Sequence, residues 1–493
     1  MTLPIFLAFS TTACFSGGTV TVSVRHPPRR SLAMRIHATQ PLFPWSELED
    51  SPSLQTIRAV LSSLPDQPLL DALQRARGHG RNDYPLDVLW GVVVLSVLCR
   101  YVWLNDCLEE LHRNPTLCRL LGIRAVAHIP GPHNLSRFLD LLGRPEPLAA
   151  LRGVFDTLVA ELGAAVPELG RHTAGDSTAL KGKAKRAPQA VQQEIEEGLP
   201  QPSGGKKEYT DEEGTVVKVY EWFGYKLHLL VDVKYEVALA YHVSDTGLGD
   251  NEGVEALVEQ AEANLGEGRI ETLAYDKAAD DSKVHETLHE HGIKAVIENR
   301  SLWRQEKEKV LRVGLPLVYD EAGTVYCYDT VSDPPVKKQM ACIGYEKGRE
   351  TVKYRCPAVH ADLPCPSREK CNGGKRYGLT VRVRCTEDLR RFPPIGRATK
   401  QFERLYKGRT AVERVNGRLK VFWGVDDGNV VGARRFHAQV GVVMVVHVAL
   451  ARWLAAQPRW EGGPLGQMTL SPIARALARS GQAPEPGPEE TAT

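Results

Sequence analysis

The sequence has almost no net charge. Its 493 residues carry 62 Lys and Arg against 60 Asp and Glu, a formal net of +2. Bulk charge therefore says little about partners, and its distribution has to be read instead. Cysteine is also sparse. Ten are spread along the chain, four between Cys14 and Cys118 and six between Cys327 and Cys385. That spread excludes a disulfide scaffold and fits a cytosolic class. Long uninterrupted apolar runs are missing too. Residues 88–98 are too short to cross a bilayer, and residues 437–456 contain Gln439, His447 and Arg452. Both read as buried helices, and no membrane span is expected. Residues 4–9 are apolar, but the run is short for a signal sequence and no Lys or Arg precedes it. Met34 is the expected true start, and residues 1–50 read as a disordered or extended segment.

What charge there is gathers near the C-terminal end. Residues 397–437 hold ten Lys or Arg and four Asp or Glu, about +6. Such a segment in a nearly neutral chain is either a nucleic-acid footprint or a helix face balanced by acids elsewhere, such as Glu194 to Glu197. Inside it lies LYKGRTAVERVNGRLKVFWG, with Tyr406, Arg409, Glu413 and Lys420 spaced Tyr-x2-Arg-x3-Glu-x6-Lys. At about 100° per residue all four share one helical stripe beside the apolar Val412, Val415, Leu419 and Phe422. A carboxylate flanked by two cations and a phenol suits a metal ligand beside a phosphate-binding row. It equally suits a surface helix with ordinary ion pairs.

The chain divides by pattern. Residues 51–165 read as a helical N-terminal domain, with breaks at Pro, Gly and Asn clusters. From 170 to 300 the order is strand, strand, strand, helix, strand, helix, strand. HTAGDSTAL ends its strand at Asp176, and RIETLAYD ends at Asp276. Residues 182–213 are polar, charged and rich in Gly and Pro, and read as a disordered insertion. Residues 301–390 form an inserted β-rich, Cys-containing subdomain. Residues 395–457 return as helices completing the core, and 458–493 are a Pro-rich, mostly disordered tail. This order is that of an α/β chain with a mixed sheet and is compatible with a ribonuclease-H-like core. Ligands of such sheets collect at strand carboxyl ends, where both aspartates fall. If the fold brings Asp176, Asp276 and Glu413 together, divalent cations would have to neutralise them. Taken singly, each aspartate also suits a turn cap.

The sequence resembles one large group of bacterial insertion-sequence DDE transposases, over roughly residues 50–450. The signature at Tyr406, Arg409, Glu413 and Lys420 matches that group's C-terminal motif. AGDSTALKG is similar to its first-aspartate segment, WFGYKLHLLVD to the next strand, and LAYDKAADDSKV to its second-aspartate segment. HRNPTLCRLLGI resembles part of its N-terminal helical domain. The resemblance implies a ribonuclease-H-like fold and cleavage and joining of DNA. It implies Asp176, Asp276 and Glu413 as catalytic metal ligands, with two Mg²⁺ (or Mn²⁺) per site. Tyr406, Arg409 and Lys420 would contact the DNA. The partners implied are double-stranded DNA, both terminal inverted repeats and target, and a second copy in a homodimer on DNA in the cytoplasmic nucleoid. Two alternatives stay open: an inactive transposase-derived DNA-binding protein, and a related metal-dependent nuclease. One departure is Ala279, where the group usually has an aromatic. Trp303 is a candidate for the aromatic that the group's inserted region can supply to a flipped base, though a lone Trp is more often core.

A second constellation is Cys356, His360, Cys365, Cys371 and Cys385. Thiolates and an imidazole this close can bind structural Zn²⁺. No C-x2-C knuckle is present, and buried free thiols are the competing reading.

Overall fold

The computed structural model describes residues 52–78, 83–101, 103–184, 187–210, 215–303, 307–372, 375–426 and 430–456. The expected start at Met34, the extended N-terminal segment and the tail after residue 457 lie outside the described residues. The chain first folds as helices: α1 Pro52–Ser62, α2 Gln67–Arg77, α3 Leu86–Leu98, α4 Leu104–Arg113, α5 Pro115–Leu120, α6 Pro132–Leu142 and α7 Pro145–Ala165. Pro opens several of them at the first turn, where its missing N–H costs nothing. The apolar run of α3 is buried on all sides, which is why it lacks a polar face. Its Trp90 donates from Nε1 to Asp66 at 2.7 Å, and burial pushes that carboxyl up to about 6.

The sheet follows: β1 His172–Lys181, α8 Pro188–Glu196, β2 Ser203–Thr210, β3 Val216–Asp232, β4 Ala238–Ser244, α9 Val254–Leu265, β5 Thr272–Tyr275, α10 Ser282–Glu290 and β6 Lys294–Ile297. Strands run in the order β2-β3-β1-β5-β6, and β4 pairs with the second half of β3. β1 is antiparallel to β3 and parallel to β5, and β5 is parallel to β6. The fold is thus mixed α/β, consistent with the ribonuclease-H-like core expected. β1 does not stop at Asp176 as expected but runs on to Lys181, because β3 pairs with its whole length. Gly175 permits the tight β1–β5 approach: a Cβ there would lie 2.2 Å from the Tyr275 ring.

The segment 182–213, expected to be disordered, carries α8 and β2. Two long-range contacts explain the difference. β2 lies along the first half of β3. Glu194 of α8 is fully buried and accepts the backbone N–H groups of Ala433 and Arg434, at 3.2 Å each. These are the first residues of the long C-terminal helix Ala433–Ala455. A carboxylate at a helix N-terminus satisfies orphan donors and the helix dipole together. Glu197 adds an ion pair to Arg434.

Between β6 and the C-terminal helices come two small sheets: β7 Lys309–Arg312, β8 Leu317–Tyr319, β9 Val325–Asp329 and β10 Val336–Gln339, then β11 Ala341–Glu346, β12 Thr351–Arg355 and β13 Thr380–Arg384. Short helices α11 Pro357–His360 and α12 Arg368–Asn372 lie between β12 and β13. Leu317, Val325, Val352, Tyr354, Val383 and Phe392 belong to the core the two sheets share. The chain ends in α13 Lys400–Tyr406, α14 Thr410–Val421 and α15 Ala433–Ala455. Among the described residues α15 alone is long and apolar enough to cross a membrane, and 72% of its apolar window is buried inside the fold. It packs against α7, α6, α3 and β4, and so is a core helix.

Asp280 joins these parts. It is buried and accepts from Arg300 N at 2.8 Å, Arg390 Nη2 at 2.8 Å and Arg397 Nη2 at 3.0 Å, beside His285. Burial opposes its charge, but these donors win and hold the carboxyl down to about 2. Its contribution is therefore complete above the unfolded value near 3.8 and lost as pH falls through about 2. Asp280→Asn should cost roughly 3–5 kcal/mol at neutral pH, since it strands two buried guanidinium groups. Urea denaturation should show that deficit unchanged down to pH about 4 and narrowing below it. A deficit under about 1 kcal/mol would mean that the arginines find other partners.

Candidate active site

The register of β1 and β5 decides where the first two carboxylates go. His172 faces Thr272 and Ala174 faces Ala274, where the pairing stops; two residues further on, Asp176 of β1 and Asp276, directly after β5, come close enough for Asp276 to act on the Asp176 carboxyl. Asp276 ends β5 and turns the chain, its side chain accepting Ala278 N at 2.8 Å. The turn-cap role is thus real for Asp276 and coexists with its place beside Asp176. Both are half-buried. The Asp176 carboxyl is pushed up to about 7, first by burial, then by Asp276, with Asp250 adding and Lys207 of β2 opposing. Two anions at one strand end keep a proton between them unless a cation replaces it.

The signature residues lie on one almost continuous helical path. α13 and α14 are joined by a tight turn at Lys407–Arg409 whose flanking residues keep helical dihedrals. The Tyr406 ring stacks on Phe402, and its hydroxyl donates to Glu298 at 2.9 Å, just past β6. Burial and then Glu298 push that phenol up to about 12. Arg409 pairs with Glu413 at 2.8 Å, and its charge is also felt by Tyr406, Asp176 and Asp276. Lys420 donates from Nζ to the Ala179 carbonyl of β1 and sits 3.6 Å from Asp426. Burial is the main cause of its lowered pKa.

Two contacts fix α14 on the sheet. Ala411, Val412, Val415 and Leu419 are buried, and the helix packs on β1 and β3. Arg414 and Arg418 both pair with Glu236, in the turn between β3 and β4. The basic segment is therefore largely neutralised within the fold. Arg397 serves Asp280, Arg414 and Arg418 serve Glu236, and Arg434 serves Glu197. Lys400, Arg404 and Lys407 stay exposed.

Fit for a divalent cation differs among the three acids. Asp176 and Asp276 fit: they are adjacent, half-buried, and mutually repulsive without one. Glu413 is instead held by Arg409, with its side chain 49% exposed. Among the described residues no three His, Cys, Asp or Glu side chains are already closed into a metal-holding group.

Two nearby residues are not singled out by the sequence pattern. Asp250 accepts from Ser177 Oγ at 2.6 Å and lies 3.4 Å from Lys226 Nζ. In the sequence its neighbour Asn251 looks like a helix cap, but α9 starts at Val254 without a side-chain cap. An acid between a strand and a helix was the available signal. Tyr275 is fully buried, its hydroxyl finds no partner among the described residues, and its phenol feels Asp250, Asp176 and Asp276.

The cysteine constellation separates. Cys385 is fully buried in the core of the two small sheets, whereas Cys356, Cys365 and Cys371 are half-buried. Its thiol is pushed up to about 12 by burial. Trp303 has Lys309 and Arg391 over its ring, at 4.9 and 5.1 Å, and Tyr319 at its edge. Ala279 is fully buried in the turn after Asp276.

Residues 169–449 match the family model for the transposase DDE domain, more than half of the chain. The protein belongs to the DDE transposase family. The match takes in the whole main sheet, both small sheets and the signature helices, and begins after α7. No curated protein matches the chain. Members of this family typically use divalent metal ions and act on DNA, and the family includes inactive members.

The raised Asp176 pKa gives this transposase a pH signature. Stability linked to that proton is complete below the unfolded value near 3.8 and is lost as pH rises through about 7. In EDTA, wild type should therefore lose melting temperature relative to Asp176→Asn between pH about 4 and 7. Mg²⁺ at the higher pH should restore wild type and not the variant. A wild-type-to-variant difference independent of pH would mean that the Asp176 carboxyl is not raised in the fold.

Proposed function

We propose that this transposase cuts DNA at element ends and joins those ends to target DNA by metal-dependent hydrolysis and transesterification. The observation that supports this best is the nearness of Asp176 and Asp276 at the ends of the β1–β5 pairing, within the electrostatic range of the Arg409 guanidinium. Asp176, Asp276 and Glu413 hold Mg²⁺ or Mn²⁺, two per site. These cations supply Lewis acidity and neutralise charge that develops at phosphorus. Arg409, Lys420 and Tyr406 hold backbone phosphates. A DNA phosphate competes with Glu413 for Arg409, so arrival of the substrate releases the third carboxylate. DNA binding thereby completes the site.

In the first step the oxygen of water bonds to phosphorus and the 3′ oxygen leaves, taking a proton. In the second, that 3′-hydroxyl attacks a target phosphodiester. Its oxygen bonds to phosphorus, the P–O bond to the target strand's 3′ oxygen breaks, and the proton lost by the attacking hydroxyl is balanced by one taken up by that leaving oxygen. Two ends must be paired for this outcome, so the working form is a homodimer on terminal repeats in the cytoplasmic nucleoid.

Glu413→Gln should lower cleavage by at least roughly 100-fold while DNA affinity stays within a few-fold. The assay uses DNA flanking the protein's own gene, with Mg²⁺ or EDTA. Binding without cleavage in either protein would favour the inactive DNA-binding relative. Cleavage without joining would favour a nuclease. Arg409→Ala should weaken binding and reduce the slope of log K against log salt by about 0.9 for each phosphate that the guanidinium neutralises. An unchanged slope would take Arg409 off the DNA.

A further inference from the structure

The two small sheets bring Cys327 to three thiols of a later stretch, Cys356, Cys365 and Cys371. Cys327 lies on β9, Cys356 directly after β12, Cys365 in the following loop and Cys371 in α12. The loop is fastened over β9 at two points. Ser367 is fully buried and donates to Asp329, two residues from Cys327 and on the same strand face. Lys338, the cross-strand partner of Cys327, donates to the Pro364 carbonyl, one residue before Cys365. Cys356 is fixed by its own N–H, which donates to Leu379 O at 2.8 Å. All four thiols are free and half-buried.

We propose that Cys327, Cys356, Cys365 and Cys371 form a structural zinc site that clasps the α11–α12 loop to β9. The chemistry is that of a closed tetrathiolate centre, a set zinc favours. Convergence also shows in the electrostatics. The Cys327 thiol is pushed up to about 12, by burial and then by Cys356, Cys365 and Cys371. Cys371 is pushed up by burial, then by Cys365 and Cys356. Cys385 is absent from both sets and instead bears on Tyr345 and Tyr354, inside the core. Among the described residues these side chains are not yet closed around one centre, so binding requires the thiols to turn inward on this backbone. A need for such a clasp follows from size: short strands around a small core gain little from burial alone.

The test is metal content of the full-length protein grown with zinc, read by elemental analysis. Wild type should hold about one zinc per chain. Cys327→Ser should lose most of it, and Cys385→Ser should keep it. Alkylation mapped by mass spectrometry gives a second reading on wild type alone. With zinc bound, Cys327, Cys356, Cys365 and Cys371 should resist modification together, and a chelator should expose all four. The proposal is overturned by folded wild type without zinc. It is also overturned by metal lost from Cys385→Ser but kept in Cys327→Ser, or by four thiols whose reactivity ignores the chelator.

Discussion

The parallel pairing of β1 with β5 is the constraint on which the rest of the structure depends. It sets Asp176 beside Asp276, one hundred residues away in the chain. Neither a helix nor a hairpin could do so. The approach is close enough that Gly175 must lack a side chain, because Tyr275 fills the space a Cβ would need. Burial and then the charge of Asp276 push the Asp176 carboxyl up to about 7. The surrounding architecture serves to keep the pair fixed and to bring α14 beside it.

Buried acids do most of that fastening. Glu236 takes two arginines of α14, Asp280 takes Arg390 and Arg397, and Glu194 caps α15. Each joins segments from about 110 to 240 residues apart. A buried pair of this kind gains little over a well-packed apolar contact, but losing one partner is costly, so these contacts favour one arrangement over others. Near-zero net charge and a locally basic C-terminal segment thus have one explanation. Half of the segment's ten cations pair with acids from elsewhere, Arg409 and Lys420 pair with acids within it, and Lys400, Arg404 and Lys407 stay exposed.

How much of this was legible in the sequence follows from range. The strand-helix alternation is a local pattern, and the structure reproduces it; Asp176 falls inside β1 and not at its end, Asp276 directly follows β5, and the stretch from Tyr406 to Lys420 is broken by a tight turn at Lys407–Arg409. Segment 182–213 differs from expectation because its order comes from partners outside it. Its glycines and charges look like a loop until β3 supplies a ladder and α15 supplies donors for Glu194. Asp250 is invisible to local pattern because only the fold puts it against Ser177. Cys385 groups with Cys356, Cys365 and Cys371 in the sequence, and the fold sets it in the core instead, because spacing along the chain cannot tell a core-facing strand end from a loop. The family resemblance over residues 50–450 is matched by the family model over 169–449, and the N-terminal helices lie outside that match.

If DNA releases Glu413 from Arg409, then Asp176, Asp276 and Glu413 form a single cation site in the complex. Anomalous diffraction from crystals of the DNA complex with Mn²⁺ tests this most directly. Manganese peaks are expected between Asp176 and Asp276, with Glu413 turned toward them and Arg409 on a phosphate. Saturating Mn²⁺ with no peak at that pair, or Glu413 still paired with Arg409 while DNA is bound, would contradict it.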